Sequence, residues 1–222
     1  PDSAIILAQL EIEFGEAVGE KNYKAIAYNN IGLSYDVKGD FQKALSTYQK
    51  SLAIKEELGD KKGMASTYNN IGIIYKSLGN MAMSLKYHQM CLALHKETGD
   101  TNSLGSTYNN IGIIYKVQKN YEKAMEYYLL GLEKRKQEND IKGIAGSFTN
   151  IANLFYEKEQ YDSSLHYHKK SLEIHQNGND LQGIAGSYGN MAGLHHALNK
   201  EVKAIELYNK SLALSQQIGD KL

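Results

Sequence analysis

The sequence has no tryptophan, one cysteine, one proline and one arginine, Arg135. A single cysteine excludes an internal disulfide framework. A single proline leaves long helices without their commonest breaker. No run of about 18 apolar residues occurs, so no stretch reads as a membrane-spanning helix. Lys plus Arg total 25 and Asp plus Glu total 25, so no net field draws the chain to nucleic acid or to an acidic membrane surface. Glycines are scattered singly and form no phosphate-cradling loop. What remains is a helical composition with 17 tyrosines.

The tyrosines are periodic. One phrase recurs every 40 residues: Tyr28-Asn29-Asn30-Ile31-Gly32, Tyr68-Asn69-Asn70-Ile71-Gly72, Tyr108-Asn109-Asn110-Ile111-Gly112, Phe148-Thr149-Asn150-Ile151-Ala152 and Tyr188-Gly189-Asn190-Met191-Ala192. A fixed period of this size marks a stacked repeat, each unit burying its apolar face against its neighbours. In repeat 2, Asp60 predicts a cap for a helix from about Lys61 to Leu78. Gly79-Asn80 then separates it from a second helix over about Met81 to Thr98. Gly39-Asp40, Gly99-Asp100, Lys119-Asn120, Asn139-Asp140, Asn179-Asp180 and Gly219-Asp220 repeat that punctuation. The expectation is all-α: eleven helices, one leading helix and five antiparallel pairs, with no strand.

Helical spacing places Tyr68, Ile71, Gly72 and Tyr75 on one core stripe, and Ser84, Leu85, His88, Cys91 and Leu92 on another. Leu52, Leu92, Leu132, Leu172 and Leu212 hold the last of these positions. Gly32, Gly72, Gly112, Ala152 and Ala192 mark close helix approach, opposite Ala44, Ser84, Ala124, Ser164 and Ala204.

The pattern aromatic-x-x-Ile-Gly-x-x-Tyr, a turn glycine, then Ala-x-x-x-Tyr resembles the tetratricopeptide repeat (TPR) over essentially the whole chain. The period exceeds the family's usual 34, as in spindle-orientation adaptors and bacterial signalling proteins, and the family's late proline is missing. The resemblance implies a right-handed α-solenoid (superhelix) filling residues 1–222 as a single array. Residues 1–20 then form the second helix of a truncated repeat, followed by repeats 21–60, 61–100, 101–140, 141–180 and 181–220. An array that starts half a repeat early at Pro1 and stops without a polar capping helix reads as a fragment of a longer protein. Its uncovered ends, the leading helix and Leu207 with its neighbours, predict end-to-end self-association. No signal peptide is visible; a cytoplasmic location is expected, or a periplasmic one if a leader has been removed.

Opposite the core stripe of the first helix in repeat 2 lie Ser66, Asn70, Ile73 and Ser77. In the TPR family this face lines the concave groove, and the resemblance implies the same here. Asn30, Asn70, Asn110, Asn150 and Asn190 occupy its centre in every repeat. Packing does not require an amide there, and an amide can both donate to and accept from a peptide backbone. The competing reading is a structural ladder in which each Asn bridges to the adjacent helix. Leu33, Ile73 and Ile113 add apolar contacts, and Lys76 and Lys116 add positive charge, pointing to apolar and acidic ligand side chains. The matching C-terminal positions are Asn153 and Gly193, Tyr156 and His196. The chaperone-tail and spindle-adaptor clamp classes fit poorly, because the Lys-Asn pairing of the first and the repeated Arg of the second are missing.

Little else carries chemistry. His88 and His168 occupy the slot of Tyr48, Tyr128 and Tyr208, and read as packing residues with a satisfied ring nitrogen. His95 and His175 align with Lys55 and Arg135, which predicts solvent exposure. His166 and His168 point different ways. His195 and His196 have no carboxylate or thiolate at ligand spacing, so no metal site is expected. Cys91 aligns with Ser51, Gly131, Ser171 and Ser211 and reads as a buried, inert thiol. The sequence therefore predicts a protein- or peptide-binding module with an extended ligand in the groove, no cofactor and no catalysis. The alternatives are a sensory or regulatory segment of a larger signalling protein, such as a bacterial kinase or transcription regulator, and an oligomerisation scaffold.

Overall fold

The structure, a computed structural model, describes residues 2–101 and 103–219. Among them are eleven α-helices and no strand, as the period predicts: α1 (Asp2–Ala17), α2 (Lys21–Val37), α3 (Phe41–Leu58), α4 (Lys61–Ser77), α5 (Met81–Thr98), α6 (Leu104–Val117), α7 (Tyr121–Gln137), α8 (Ile141–Glu157), α9 (Tyr161–Asn177), α10 (Leu181–Ala197) and α11 (Glu201–Gln217). The chain divides into two compact units, one ending at Ile114 and the other beginning at Tyr115.

Capping follows the sequence signals with one exception. The side chains of Asp40, Asp60, Asn80, Asn120, Asp140 and Asp180 each accept a hydrogen bond from the backbone N–H three residues on, at 2.9–3.2 Å. This satisfies an N–H that the helix start leaves without a partner. Asp100 does not repeat the pattern: α6 begins only at Leu104, with Ser103 in the left-handed region at φ 64°. The third helical position is tight in three of the first helices. A Cβ on Gly63 or Gly143 would fall 1.9 or 1.8 Å from the capping carboxylate, and one on Gly183 would fall 2.1 Å from the His175 ring. Ser103 stands at that position in repeat 3, but Lys43, Met83 and Lys123 carry a Cβ there under capped starts, so the Cβ alone does not account for the late start of α6. Asp220 lies outside the described residues.

In the N-terminal unit, Ala44, Leu45, Tyr48, Ile71 and Ile74 form one core cluster, flanked by Tyr35, Tyr75 and Tyr87. Ile5, Ala8, Ala27 and Ile31 form a second, in which α1 packs on α2. In the C-terminal unit, Met191, Ala192 and Leu207 pack with Leu165, Leu172 and Tyr188. The small-residue positions allow the expected close approach. A Cβ on Gly32 would come within 2.7 Å of the Tyr48 ring, and one on Gly72 within 2.8 Å of the His88 ring. Ser84 Oγ donates to Gly72 O at 2.7 Å across the α4–α5 contact. Leu207 is itself buried; the exposed apolar side chains of α11 are its neighbours Val202, Ile205, Tyr208 and Leu212.

An aromatic stack recurs in the middle repeats. Tyr87 lies parallel to Tyr75, Tyr127 to Tyr115 and Tyr167 to Phe155, with ring centroids 5.4–5.5 Å apart. Tyr87 and Tyr167 also meet the earlier aromatics Tyr68 and Phe148, each at 5.9 Å. One residue of the second helix is thus held by two aromatics of the first, spaced seven apart.

Two expectations about polar residues need correction. His88 and His168 are buried in the tyrosine slot as predicted, but both ring nitrogens of His88 and Nδ1 of His168 lack a hydrogen-bond partner among the described residues. The slot was shaped for a tyrosine or histidine ring by packing, and no polar group of the described residues reaches those nitrogens. Burial pushes both imidazoles down to about 4, with Lys76 adding repulsion at His88. The second correction concerns Lys55, His95, Arg135 and His175. They are not solvated: the first three are buried and His175 is half-buried. Lys55 Nζ donates to Thr67 Oγ1 at 2.9 Å, and Arg135 Nη1 donates to Gly143 O and Ser147 Oγ, each at 2.8 Å. His95 Nδ1 lies 3.0 Å from Asp100 O, and His175 Nδ1 lies 2.9 Å from the Asp180 carboxylate. The long polar side chain closing each second helix is buried by the start of the next repeat, which no single-helix pattern reveals.

Candidate ligand-binding face

On α2 and α4 the heptad-spaced residues Tyr28, Ile31 and Tyr35, and Tyr68, Ile71 and Tyr75, turn to the core. Asn30 and Asn70 fall on the other side. Asn30 is exposed, and Asn70 and Asn110 are half-buried. Asn30 and Asn70 make no side-chain hydrogen bond among the described residues, whereas Asn110 Nδ2 donates to Asn69 Oδ1 at 3.2 Å, joining α6 to α4. One member of the row therefore has the helix-to-helix bridge of the structural-ladder reading, and two have amides to spare. Leu33 is exposed beside Asn30, while Ile73, Ile113, Lys76 and Lys116 are half-buried beside theirs.

In the C-terminal unit the structure gathers four of the sequence-predicted positions around one opening. A cavity of about 220 Å³ is lined by Asn153, Tyr156, Asn190 and Gly193, with Gly189 and the buried His168. Gly189 and Gly193 stand where repeat 2 has Asn69 and Ile73. A Cβ at either would meet nothing closer than 3.6 Å, so the space is made by omitting side chains. His168, read from sequence as packing alone, is a wall of this cavity. Asn150 is half-buried and Asn190 exposed, at equivalent positions of α8 and α10.

The remaining histidines resolve individually. His195 is buried in place of the repeat's tyrosine, and His196 is exposed with Nδ1 3.0 Å from Glu201 Oε1. That carboxylate lies five residues on across a turn. No group of three or more His, Cys, Asp or Glu side chains able to hold a metal ion occurs among the described residues. Cys91 is fully buried with Sγ 3.5 Å from Thr107 Oγ1, and burial pushes its thiol pKa up. Among the described residues no helix is long and apolar enough to cross a membrane.

Sequence profiles described as tetratricopeptide repeat match residues 63–137 and 143–217, and a further one matches residues 25–58. Among solved structures the chain is similar to BtubC (BKLC) from P. vanneervenii, at TM-score 0.83 and 20% identity, covering 100% of this chain and 93% of that one. It is similar to a Rap protein complexed with Competence and Sporulation Factor, at TM-score 0.79 and 18% identity, covering 90% and 56%. It is also similar to the Rap conjugation gene regulator of the plasmid pLS20 in complex with the Phr* peptide, at TM-score 0.75 and 15% identity, covering 90% and 55%. At such identities the likeness is one of fold, and the chain spans little more than half of either Rap chain. No curated protein sequence matches it significantly.

Proposed function

We propose that this chain, which belongs to the tetratricopeptide repeat family, holds an extended peptide against the asparagine-bearing faces of its first helices and acts by binding, without catalysis or cofactor. The observation that carries the reading is the repeated amide at Asn30, Asn70, Asn110, Asn150 and Asn190. It lies outside the core stripe in every repeat, with unpartnered side chains at Asn30 and Asn70. Amides at a helix spacing of about 8–10 Å meet an extended backbone roughly every third residue. Leu33, Ile73 and Ile113 would take apolar ligand side chains, Lys76 and Lys116 acidic ones, and the cavity beside Asn153 and Tyr156 one further side chain.

A second reading, a regulatory segment of a larger protein, is favoured by the Rap comparisons, in which the similar region is about half of a chain crystallised with a peptide or factor. Both readings place the ligand on the same face. End-to-end self-association is a separate proposal, supported by the exposed Ile6, Leu7, Leu10 and Phe14 of α1 and by the exposed apolar neighbours of Leu207. Sedimentation over a concentration series tests it, and a constant monomer mass would contradict it.

The test of the binding face is a pair of substitutions. Peptides selected on the protein from a displayed library are titrated against wild type, Asn70→Ala and Asn110→Ala. Loss of one amide leaves ligand backbone groups unpaired, at about 1–3 kcal/mol per site, or roughly five- to a hundredfold in affinity. Asn70→Ala should show that loss with an unchanged melting temperature; Asn110→Ala should also melt lower, since it gives up the bond to Asn69. Unchanged affinity in both variants, with lowered stability, would leave only the structural ladder.

A further inference from the structure

The aromatic stack that organises repeats 2, 3 and 4 is incomplete in repeat 1. Tyr87, Tyr127 and Tyr167 recur 40 residues apart, and the residue one period earlier is Thr47. Its two aromatic holders are nonetheless present as Tyr28 and Tyr35, aligned with Tyr68 and Tyr75. Between them is a cavity of about 450 Å³, walled by Ile12 of α1, Tyr28 and Tyr35 of α2, and Lys43, Thr47 and Lys50 of α3. Thr47 lines it, with its Oγ1 donating to Lys43 O at 2.6 Å. The hydroxyl is therefore satisfied within its own helix and does not fill the space.

Cations found singly beside the stacks of repeats 3 and 4 are both present in repeat 1. Lys43 Nζ lies 5.3 Å from the Tyr35 ring centroid, as Lys123 lies 5.2 Å from that of Tyr115. Lys50 Nζ lies 5.5 Å from the Tyr28 centroid, as Lys170 lies 5.6 Å from that of Phe148. Lys43 is ion-paired with Asp40 at 2.7 Å, whereas Lys50 has no carboxylate partner among the described residues. Repeat 1 thus keeps two ring walls and an uncommitted ammonium and lacks only the ring they hold elsewhere.

We infer that this cavity is a docking site for a tyrosine or phenylalanine side chain of a partner peptide, whose adjacent acidic residue pairs with Lys50. The chain supplies the template for the occupant: a phenol ring parallel to the second aromatic of the first helix, as Tyr87 is to Tyr75 at 10°. Offset-stacked rings and a nearby cation favour an aromatic over an aliphatic side chain, and the charge on Lys50 favours an anionic neighbour. The site lies on the opposite side of α2 from Asn30 and is independent of the peptide face proposed above.

The test uses two synthetic probes, acetyl-Asp-Asp-Tyr-Glu-Asp-amide and the same peptide with Ala for Tyr, titrated against the whole protein by NMR. The Tyr probe should shift the Thr47 methyl and Tyr35 ring signals saturably and bind at least tenfold more tightly than the Ala probe. Lys50→Gln should weaken it severalfold and reduce its salt dependence. Thr47→Tyr should fill the slot with the protein's own ring, fold as well as wild type, and abolish binding of the Tyr probe. Equal binding of the two probes, Tyr-probe binding that survives Thr47→Tyr, or a Thr47→Tyr protein that fails to fold would each overturn the inference.

Discussion

The two compact units turn their corners with different chemistry. In the N-terminal unit the left-handed corner residues are Gly19, Gly39, Gly59, Gly79 and Gly99, with φ of 67–76°, and Ser103 is a further left-handed residue just before α6. In the C-terminal unit the same corners fall on Lys119, Asn139, Glu159, Asn179 and Asn199, with φ of 51–59°, before Gly219 restores the glycine. A backbone repeated so closely on unlike residues shows that the corner is imposed by the helices that it joins. Glycine reaches this region without steric cost, asparagine tolerates it, and lysine and glutamate do not favour it. The N-terminal glycine corners are therefore relaxed, while Lys119 and Glu159 carry local strain of about 1–2 kcal/mol each.

The largest expected effect is one that the units share and so should not separate them. His88 and His168 titrate near 4 when folded and near 6.5 when unfolded. Between those values the unfolded chain binds more protons, so stability is full above about pH 6.5 and falls as the pH drops toward 4. The loss is about 3 kcal/mol per histidine. Melting temperatures at pH 7.5 and pH 5 should differ clearly in wild type and less in His88→Tyr, which copies Tyr48 opposite a glycine. His168→Tyr should be poorly tolerated, because Ala152 replaces that glycine. A pH dependence unchanged by His88→Tyr would refute the assignment.

Smaller is the cost of moving a side chain into a relaxed corner. Gly79→Ala should destabilise the N-terminal unit by about 1–2 kcal/mol; native-state hydrogen exchange reads this locally, since repeat arrays open in parts. Smallest and opposite in sign is relief of the strained corner. Glu159→Gly should stabilise the C-terminal unit by about 0.5–1 kcal/mol, the strain relief exceeding the added freedom of the unfolded chain. If Gly79→Ala were neutral and Glu159→Gly destabilising, the corners would not differ as described.

How much of this was legible in the sequence depends on the range of the interaction. The period and the Asp and Asn caps act within one helix or one turn, and Asp60, Asn80 and Asp140 mark helix starts where the structure has them. Asp100 misled because Ser103 takes the left-handed region and α6 begins only at Leu104, which the Gly-Asp signal does not reveal. Lys55, His95, Arg135 and His175 misled because their burial comes from the following repeat, and a charge aligned with a charge looks like surface. The Asn row was legible as a position off the core stripe. The bridge from Asn110 to Asn69, the cavity made by Gly189 and Gly193, and the space left above Thr47 all depend on side chains from different helices.

Whether the Asn-bearing face receives the ligand backbone, as proposed, is read most directly from the side-chain amide NMR spectrum during titration with a selected peptide. The Asn30 and Asn70 amide protons should move downfield and saturate together with the peptide, with no change in signals from the exposed residues of α3 and α5. Shifts confined to α3 and α5, with the Asn30 and Asn70 amides unmoved at saturation, would contradict it.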